Sequence, residues 1–266
     1  MREGTGMMKR LLCLLLALCC LGPVWAAAEE EENRGNEELL TEFVLRHADR
    51  GSNKIAITVD DCYRSATEYI LRDAELCRQY GIAMTFFPLV YTGCLEEEFR
   101  DVWQTVLDSG CEIGTHSTRH TKLGNRDYWS IVSSLGLAQE ALDKTLGYHY
   151  QIRWFRPPYG SVADGKLTTK KKILSAIRLY GYEHIVHWDV SQTDPDLAIK
   201  QVKNGSILLY HAKKKDTACL EKLIPALLEA GFEPVTVSEL FGFDPPETGG
   251  ELYVYDKAYY VEKSKE

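Results

Sequence analysis

Short apolar runs alternate with helical segments from residue 54 to residue 241, and this alternation constrains the fold more than any other feature. The apolar runs occupy residues 54–59, 83–90, 111–115, 152–155, 184–188, 206–210 and 234–236. Helical patterns lie between them, at residues 65–80, 95–109, 127–146, 168–180, 195–203 and 217–230, with a last turn at 237–241. Each connection is long enough to join parallel strands. The pattern predicts an α/β fold, as either an open doubly wound sheet or a closed barrel of seven strands.

The two ends of the chain differ in composition from this central region. Lys9 and Arg10 precede an apolar run at residues 11–21 and a small-residue stretch at 26–28. This is the pattern of a secretory signal peptide, and the run is too short for a comfortable membrane span. We therefore expect a signal peptide at 1–28, a secreted or cell-wall-associated protein, and no stable membrane span after cleavage; an uncleaved anchor is the alternative. Residues 29–53 predict a flexible acidic leader with a short helix, and residues 244–266 a C-terminal extension in which 252–261 forms an edge strand or hairpin.

Charge and cysteine content exclude some classes of function. The chain of 266 residues carries a formal net charge of −8, which argues against a nucleic-acid partner. Five cysteines follow the predicted signal peptide, and none of them forms a closely spaced metal-binding pair. We expect most of them to be buried thiols: Cys62, Cys77, Cys94, Cys111 and Cys219.

Residues suited to chemistry collect at the C-terminal ends of the predicted strands. Parallel strands bring these ends together on one face, where α/β proteins carry their sites. The starts of the strands show nothing comparable. The residues concerned are Asp60, Asp61, His116, His120, Arg156, Asp189, Asp194 and His211.

His116 and His120 are four residues apart, so a helical turn would direct both imidazoles the same way. Together with Asp61 they make a set of two histidines and one carboxylate, which suits a divalent ion of the zinc, cobalt, nickel or iron(II) type. The alternatives are an ordinary turn at Asp60–Asp61 and a pair of surface histidines. The convergence at the strand ends favours a metal site.

The remaining strand-end residues fit metal-assisted hydrolysis of an amide or ester. A metal that binds one aspartate leaves the other free as a general base, which Arg156 can hold ionised. A structural salt bridge is the alternative for that arginine. His211 can act as an acid if Asp194 or Asp189 supports it, and backbone N–H groups after Pro158 can bind an oxyanion.

Five motifs in this order resemble the polysaccharide deacetylases, the NodB homology domain of carbohydrate esterase family 4. They are TVDD at 58–61, HSTRH at 116–120, RPPYG at 156–160, WDVSQTD at 188–194 and LLYH at 208–211. The resemblance covers residues 54–241, and the assigned domain is 54–243. It implies a single-domain distorted (β/α)7 barrel, which is one of the two architectures left open above.

The resemblance also implies a role for each residue that matches a motif. Asp60 is the expected base, oriented by Arg156, and Asp61, His116 and His120 are the expected ligands of a divalent metal, with Zn²⁺ favoured over Co²⁺ or Ni²⁺. Asp194 is expected to support His211 as the acid. The Tyr159 N–H is the expected oxyanion donor, and Leu209 lines the acetyl pocket. The implied reaction removes N-acetyl groups from peptidoglycan or a chitin-like glycan.

Two positions depart from the family pattern. The family usually has glycine after the paired aspartates, where this chain has Cys62, and tryptophan after the aspartate of the fourth motif, where it has Pro195. Neither change removes an acid, a base or a ligand, so both bear on the substrate. Three other functions remain open: a non-catalytic glycan-binding protein, an O-acetyl esterase acting on xylan, and an amidohydrolase of small cyclic amides.

Overall fold

The computed structural model describes residues 30, 31, 34, 38, 43–162 and 167–266. The predicted signal peptide at 1–28 lies outside the described residues, as does most of the leader at 29–53. No helix in the described part of the chain has the length and apolar character that a membrane crossing requires.

The described chain contains seven strands and eight α-helices with defined bounds, besides short 3-10 turns and the helical leader residues 30, 31, 34, 38 and 43. The strands are β1 Val44–Leu45, β2 Lys54–Cys62, β3 Met84–Pro88, β4 Glu112–Ile113, β5 Ile185–Val186, β6 Ile207–His211 and β7 Glu233–Val235. The helices are α1 Thr67–Tyr80, α2 Arg100–Asp108, α3 Tyr128–Leu146, α4 Leu167–Tyr180, α5 Pro195–Gln201, α6 Lys214–Glu229, α7 Val237–Leu240 and α8 Lys257–Lys263.

The parallel strands form a closed, irregular ring, in which β2 has the most pairing partners. It pairs with β3 and β6, and its first residues pair with β7. Strand β4 pairs with β3, and single parallel bridges join Thr115 to Phe155 and Val190 to Leu208. The ring continues where Val186 N–H donates to the Phe155 carbonyl. The closed alternative of the two predicted architectures, a distorted barrel in one domain, is confirmed.

The irregular part of the ring is the predicted fourth strand, at 152–155. This segment is reduced to the single bridge at Phe155 and is not an extended ladder. Strand β1, at residues 44–45 of the leader, pairs with β5, and the described leader residues 30, 31, 34, 38 and 43 before it are helical.

Burial of β2 on both faces explains its continuous run of apolar residues. Every residue from Ile55 to Asp60 is buried, as is usual for a parallel strand covered by helices. Each fully buried isoleucine or valine contributes about 1.5–3 kcal/mol relative to exposure. The helices are delimited as the sequence predicts. Asp127 caps α3 by accepting from Ser130 N–H, and α1 ends at Gly81, whose φ of 62° suits glycine.

The C-terminal extension packs against the barrel as a helix. The predicted edge strand at 252–261 is wrong, because Asp256 caps α8 instead. Tyr260 of this helix is buried, and Tyr255 packs directly onto Gly136 of α3. A Cβ atom at Gly136 would lie 2.1 Å from the Tyr255 ring, so this close approach requires glycine. The extension therefore belongs to the folded domain.

Candidate metal centre and active site

Asp61, His116 and His120 meet at the C-terminal end of the barrel, as predicted. One ligand atom from each lies within 4.8 Å of the others. Asp61 Oδ1 is 3.5 Å from His120 Nε2 and 3.9 Å from His116 Nε2. These separations leave room for a cation between the three atoms. Asp61 Oδ1 is also buried without a hydrogen-bond partner among the described residues, which is costly unless a ligand pairs with it.

The second nitrogen of His116 determines how its ring is oriented. His116 Nδ1 lies 2.8 Å from the Arg156 carbonyl oxygen, so Nδ1–H donates and Nε2 keeps its lone pair toward Asp61. Burial lowers the pKa of His116, although the charges of Asp60 and Asp61 oppose that shift. The ring is therefore neutral at pH 7, which is the form that binds a metal. The donor set fits a divalent ion.

Local backbone strain concentrates at this site. Among the described residues, the non-glycine residues with positive φ are Asp61 at 54°, Ser117 at 80° and Tyr159 at 60°. Such conformations cost about 1–3 kcal/mol each and persist where the surroundings enforce them. At Asp61 the strain coincides with a shift in the register between β2 and β3. This bulge allows the two adjacent aspartates to serve different neighbours.

Asp60 is hydrogen-bonded to Arg156, while its Oδ2 lies 3.9 Å from His116 Nδ1. Its Oδ1 accepts from Arg156 Nη1 at 2.8 Å, and both side chains are almost completely buried. The same nitrogen donates to Thr58 Oγ1, while Nε and Nη2 donate to the carbonyls of Val186 and His187. The guanidinium is therefore fixed by four acceptors, and its hydrogen bond holds the Asp60 carboxylate in one orientation.

Tyr159 and Leu209 come from two different elements near this site. The Tyr159 ring is 58% exposed and contacts His120 edge-on, with 4.2 Å between ring centroids. Its positive φ lies in the short turn Pro158–Gly160 that follows Arg156. Leu209 is buried on β6 beside Thr58, two register positions before the pair formed by Asp60 and His211. The roles predicted for both residues remain predictions.

The carboxylate bonded to His211 is that of Asp216, and the predicted partnership with Asp194 is wrong. His211 Nδ1 lies 3.1 Å from Asp216 Oδ2, which also accepts from the His211 backbone N–H. Burial opposes ionisation of Asp216, but these bonds lower its pKa overall. Asp194 instead caps α5 by accepting from two backbone N–H groups. The alternative partner, Asp189, pairs with Arg50.

Sequence reasoning missed three contributors to the site. Asp216 lies in the first turn of α6, five residues after His211, where an acid near a strand-end histidine is a usable signal. Thr58 lies two residues before Asp60 on the same face of β2, so the period of a strand places it there. His187 contributes its backbone carbonyl to Arg156, a role that leaves no signal in the side-chain sequence.

The cysteine at position 62 fits its site without strain. Cys62 is fully buried in the hydrophobic core, and its φ is not positive. The left-handed conformation that would favour glycine belongs to Asp61 instead. The Cys62 carbonyl accepts from Cys94 Sγ at 2.7 Å, which ties the end of β2 to the following loops. All five cysteines of the described chain are free and buried, as predicted.

Position 195 begins a helix. Pro195 is the first residue of α5, directly after the capping Asp194, a position that proline favours. Where the family pattern has a tryptophan ring, this chain has the first residue of a helix. The nearby side chain of Leu197 is 47% exposed.

Comparison with known proteins relates this chain to the polysaccharide deacetylases. A family model described as polysaccharide deacetylase matches residues 47–185. A peptidoglycan-N-acetylglucosamine deacetylase of Bacillus cereus is 30% identical over 224 residues, which cover 76% of this chain and 95% of that protein. Other curated relatives are longer, and the matched region covers only 30%, 43% and 39% of three of them.

Two solved structures show the likeness in fold. PdaA of Bacillus subtilis, a family 4 carbohydrate esterase, superposes with a TM-score of 0.63 at 20% identity, covering 77% of this chain and 87% of that chain. BA3943 of Bacillus anthracis, described as a pseudoenzyme of the same family, also gives 0.63 at 20% identity, with 75% and 69% covered. With the family model matching more than half of the chain, this protein belongs to the polysaccharide deacetylase family.

Proposed function

We propose that this protein is a metal-dependent hydrolase that removes N-acetyl groups from an amino-sugar polymer and releases acetate. The observation that carries the proposal is the division of two adjacent carboxylates. Asp61 lies with two imidazoles, whereas Asp60 is held by Arg156. Peptidoglycan is the leading substrate, because the Bacillus cereus relative is named for that polymer. Chitin-like glycans and O-acetyl groups of xylan are the other substrates to test.

Asp61, His116 and His120 would hold the metal, for which we propose Zn²⁺. When bound, such an ion supplies a water of lowered pKa and polarises the carbonyl of the acetyl group. The protein contributes the arrangement of the ligands. His116 is oriented by the Arg156 carbonyl, and the backbone of Asp61 is held in a bulge.

Asp60, Tyr159 and His211 would perform the proton transfers and charge stabilisation. As water adds to the acetyl carbonyl, Asp60 takes one proton, and Arg156 holds the Asp60 carboxylate in place beforehand. The Tyr159 N–H donates to the oxyanion, and Leu209 contacts the acetyl methyl group. His211, oriented by Asp216, gives a proton to the departing amine nitrogen. The C–N bond breaks, leaving acetate and a free amino sugar.

A non-catalytic glycan-binding protein is the second candidate, since BA3943 is a pseudoenzyme with the same fold. The two candidates differ in whether acetate is released. In this chain, every acid, base and ligand that the family pattern predicts is present, and Asp61, His116 and His120 lie together. We further propose secretion, from the signal-peptide pattern at residues 1–28.

Acetate release is the test of this proposal. Purified protein supplied with Zn²⁺ or Co²⁺ should release acetate from N-acetylated peptidoglycan fragments, and Asp60→Asn should reduce the rate by at least about 100-fold. The same variant should bind metal as the parent protein does, because Asp60 is not placed among the ligands. A control variant, Lys222→Gln on the exposed face of α6, should keep full activity. No acetate from any glycan, with any of the metals, would reject the enzyme in favour of the binding protein.

A further inference from the structure

A cavity of about 400 Å³ lies beside the candidate metal centre, and none of the predicted site residues lines it. Its walls are Tyr91, the segment Thr118–Arg119, the beginning of α3, and Lys257 of α8. The volume is within the usual range of small-ligand sites, about 300–1,000 Å³. We call it the α3 pocket.

The α3 pocket shares a wall with the metal centre. Thr118 and Arg119 lie between His116 and His120 in the chain, and Tyr91 N–H donates to the Thr118 carbonyl at 3.0 Å. Arg126 Nη1 donates to Ser117 Oγ at 3.2 Å. A group bound in the pocket would therefore lie next to a sugar whose acetyl group reaches the metal.

Three cations surround the α3 pocket: Arg119, Arg126 and Lys257. None of them forms an ion pair with any residue in the described ranges. The pocket is thus positive in a protein whose net charge is −8. Such a local excess of one charge in a concave site attracts the opposite charge.

The one acid of the pocket, Asp127, acts on Arg126 through its charge but forms no ion pair with the three cations in the described structure. The Asp127 carboxylate accepts from the Ser130 backbone N–H and hydroxyl, at the beginning of α3. Arg126 is half-buried, and the only hydrogen bond of its guanidinium within the described structure is the one to Ser117. A guanidinium has five N–H donors, so several remain available to a carboxylate.

Aromatic rings complete the pocket. The Arg119 guanidinium lies 4.4 Å from the centroid of Tyr91, a ring that is 56% exposed. Lys257 Nζ lies 6.0 Å from the Trp129 ring. These contacts hold the cations over flat apolar faces. Cations combined with exposed rings suit a ligand that has both an anionic group and an apolar face, as an acidic sugar does.

We propose that the α3 pocket binds a carboxylate of the polysaccharide, carried by the unit next to the sugar that is deacetylated. This inference rests on the proposed function and narrows its substrate to an acidic glycan. The carboxylate belongs either to the sugar itself or to a peptide attached to it. Neutral chitin-like chains bind the metal centre without this contact.

The test compares matched oligosaccharides on the metal-loaded protein. Acetate release is measured on neutral N-acetylglucosamine oligomers, on oligomers with sugar-borne carboxylates and no peptide, on peptide-bearing oligomers, and on the same chains with the carboxylates converted to amides. We expect kcat/KM for acidic chains to exceed that for neutral or amidated chains by about 10-fold or more. This preference should shrink in 0.5 M salt. The peptide-free and peptide-bearing arms identify which carboxylate is bound.

Variants assign the preference to the α3 pocket. Arg126→Gln and the exposed Lys257→Gln should each reduce kcat/KM on acidic chains by about 5-fold or more, with less than about 2-fold change on neutral chains. Lys222→Gln is the matched control and should change neither. Equal rates on acidic and neutral chains, or equal losses on both in the variants, would overturn the inference.

Equilibrium binding separates this inference from the proposed function. If no chain releases acetate, the proposed function fails, and calorimetric titration with the same oligomers still tests the pocket. Tighter binding of acidic oligomers that Lys257→Gln weakens would support the acidic ligand. Equal binding of acidic and neutral oligomers would contradict it.

Discussion

The ion pair between Arg156 and Asp60 offers a quantitative test of how the site is held together. Arg156→Met removes the guanidinium, whose Cζ lies 4.5 Å from the centroid of the Phe87 ring, but keeps an apolar side chain of similar length. The substitution deprives four acceptors of their donor, among them the buried Asp60 carboxylate. An isolated buried charge of this kind destabilises a protein by about 3–5 kcal/mol.

The double variant, Arg156→Met with Asp60→Asn, should be destabilised by less than the sum of the two single substitutions. Asp60→Asn removes the charge that Arg156→Met leaves unpaired. The combined variant should therefore be more stable than the sum of the two single effects by about 2–3 kcal/mol. An exposed ion pair provides the matched control: Arg72→Met loses its contact with Glu221 and should change stability by less than about 1 kcal/mol.

Urea unfolding at pH 7, followed by far-UV circular dichroism, measures these free energies. A single cooperative transition is required for all four members of the cycle. Additivity to within about 0.5 kcal/mol would mean that the two side chains act independently. That result would refute the description of Asp60 as a base held by Arg156.

Three further predictions concern other parts of the site and the core. Asp216→Asn should reduce the rate of acetate release by about 10-fold or more in steady-state kinetics, because His211 loses its charged partner. Asp194→Ala should instead lower the free energy of unfolding by about 1 kcal/mol in thermal unfolding, because it removes a helix cap. A larger loss of activity in Asp194→Ala than in Asp216→Asn would contradict the assignment of Asp216 as the partner of His211. Cys62→Gly should lower stability by about 2 kcal/mol in urea unfolding, since the site is buried and does not need a left-handed residue; an unchanged or raised stability would argue otherwise. Burial raises the pKa of Asp73 to about 8. The unfolded chain loses this proton near pH 4 and the folded chain only near pH 8, so stability should fall as the pH rises between these values. Asp73→Asn should remove most of that slope, and parallel pH profiles for the two proteins would be inconsistent with a protonated Asp73.

The barrel and the meeting of the metal ligands were predictable because both depend on periodic patterns. The alternation of strands and helices limits the topology, and parallel strands place residues such as Asp61 and His116 at one end. The closed barrel could be predicted even though one of its strands was predicted inaccurately. The fourth predicted strand survives only as the bridge at Phe155, and the ring still closes.

The errors arose where tertiary contacts override local pattern. From the sequence, Asp194 and Asp216 are both candidate partners of His211. The backbone turn after β6 brings Asp216 to His211, whereas Asp194 accepts from backbone N–H groups at the N-terminus of α5. The alternating tyrosines at 253 and 255 resemble a strand, yet Tyr255 packs onto the glycine at position 136 and Asp256 begins a helix. Of these contacts, only the packing of Tyr255 onto Gly136 joins residues that are far apart in the sequence.

The departure at Cys62 shows the same limit in a family comparison. A glycine is expected there because the chain turns sharply after the paired aspartates. In this structure the positive φ falls on Asp61, one residue earlier. Backbone dihedral angles cannot be read from side-chain identity alone, so the sequence located the strained turn only to within one residue.

An anomalous-scattering map of crystals grown with the metal tests the central claim most directly. The account predicts one peak within about 2.0–2.2 Å of the Asp61 carboxylate and of the Nε2 atoms of His116 and His120. Asp60 should remain bonded to Arg156 and away from the peak. A peak that takes Asp60 as a ligand, or no peak near the two histidines, would contradict the division of the two carboxylates.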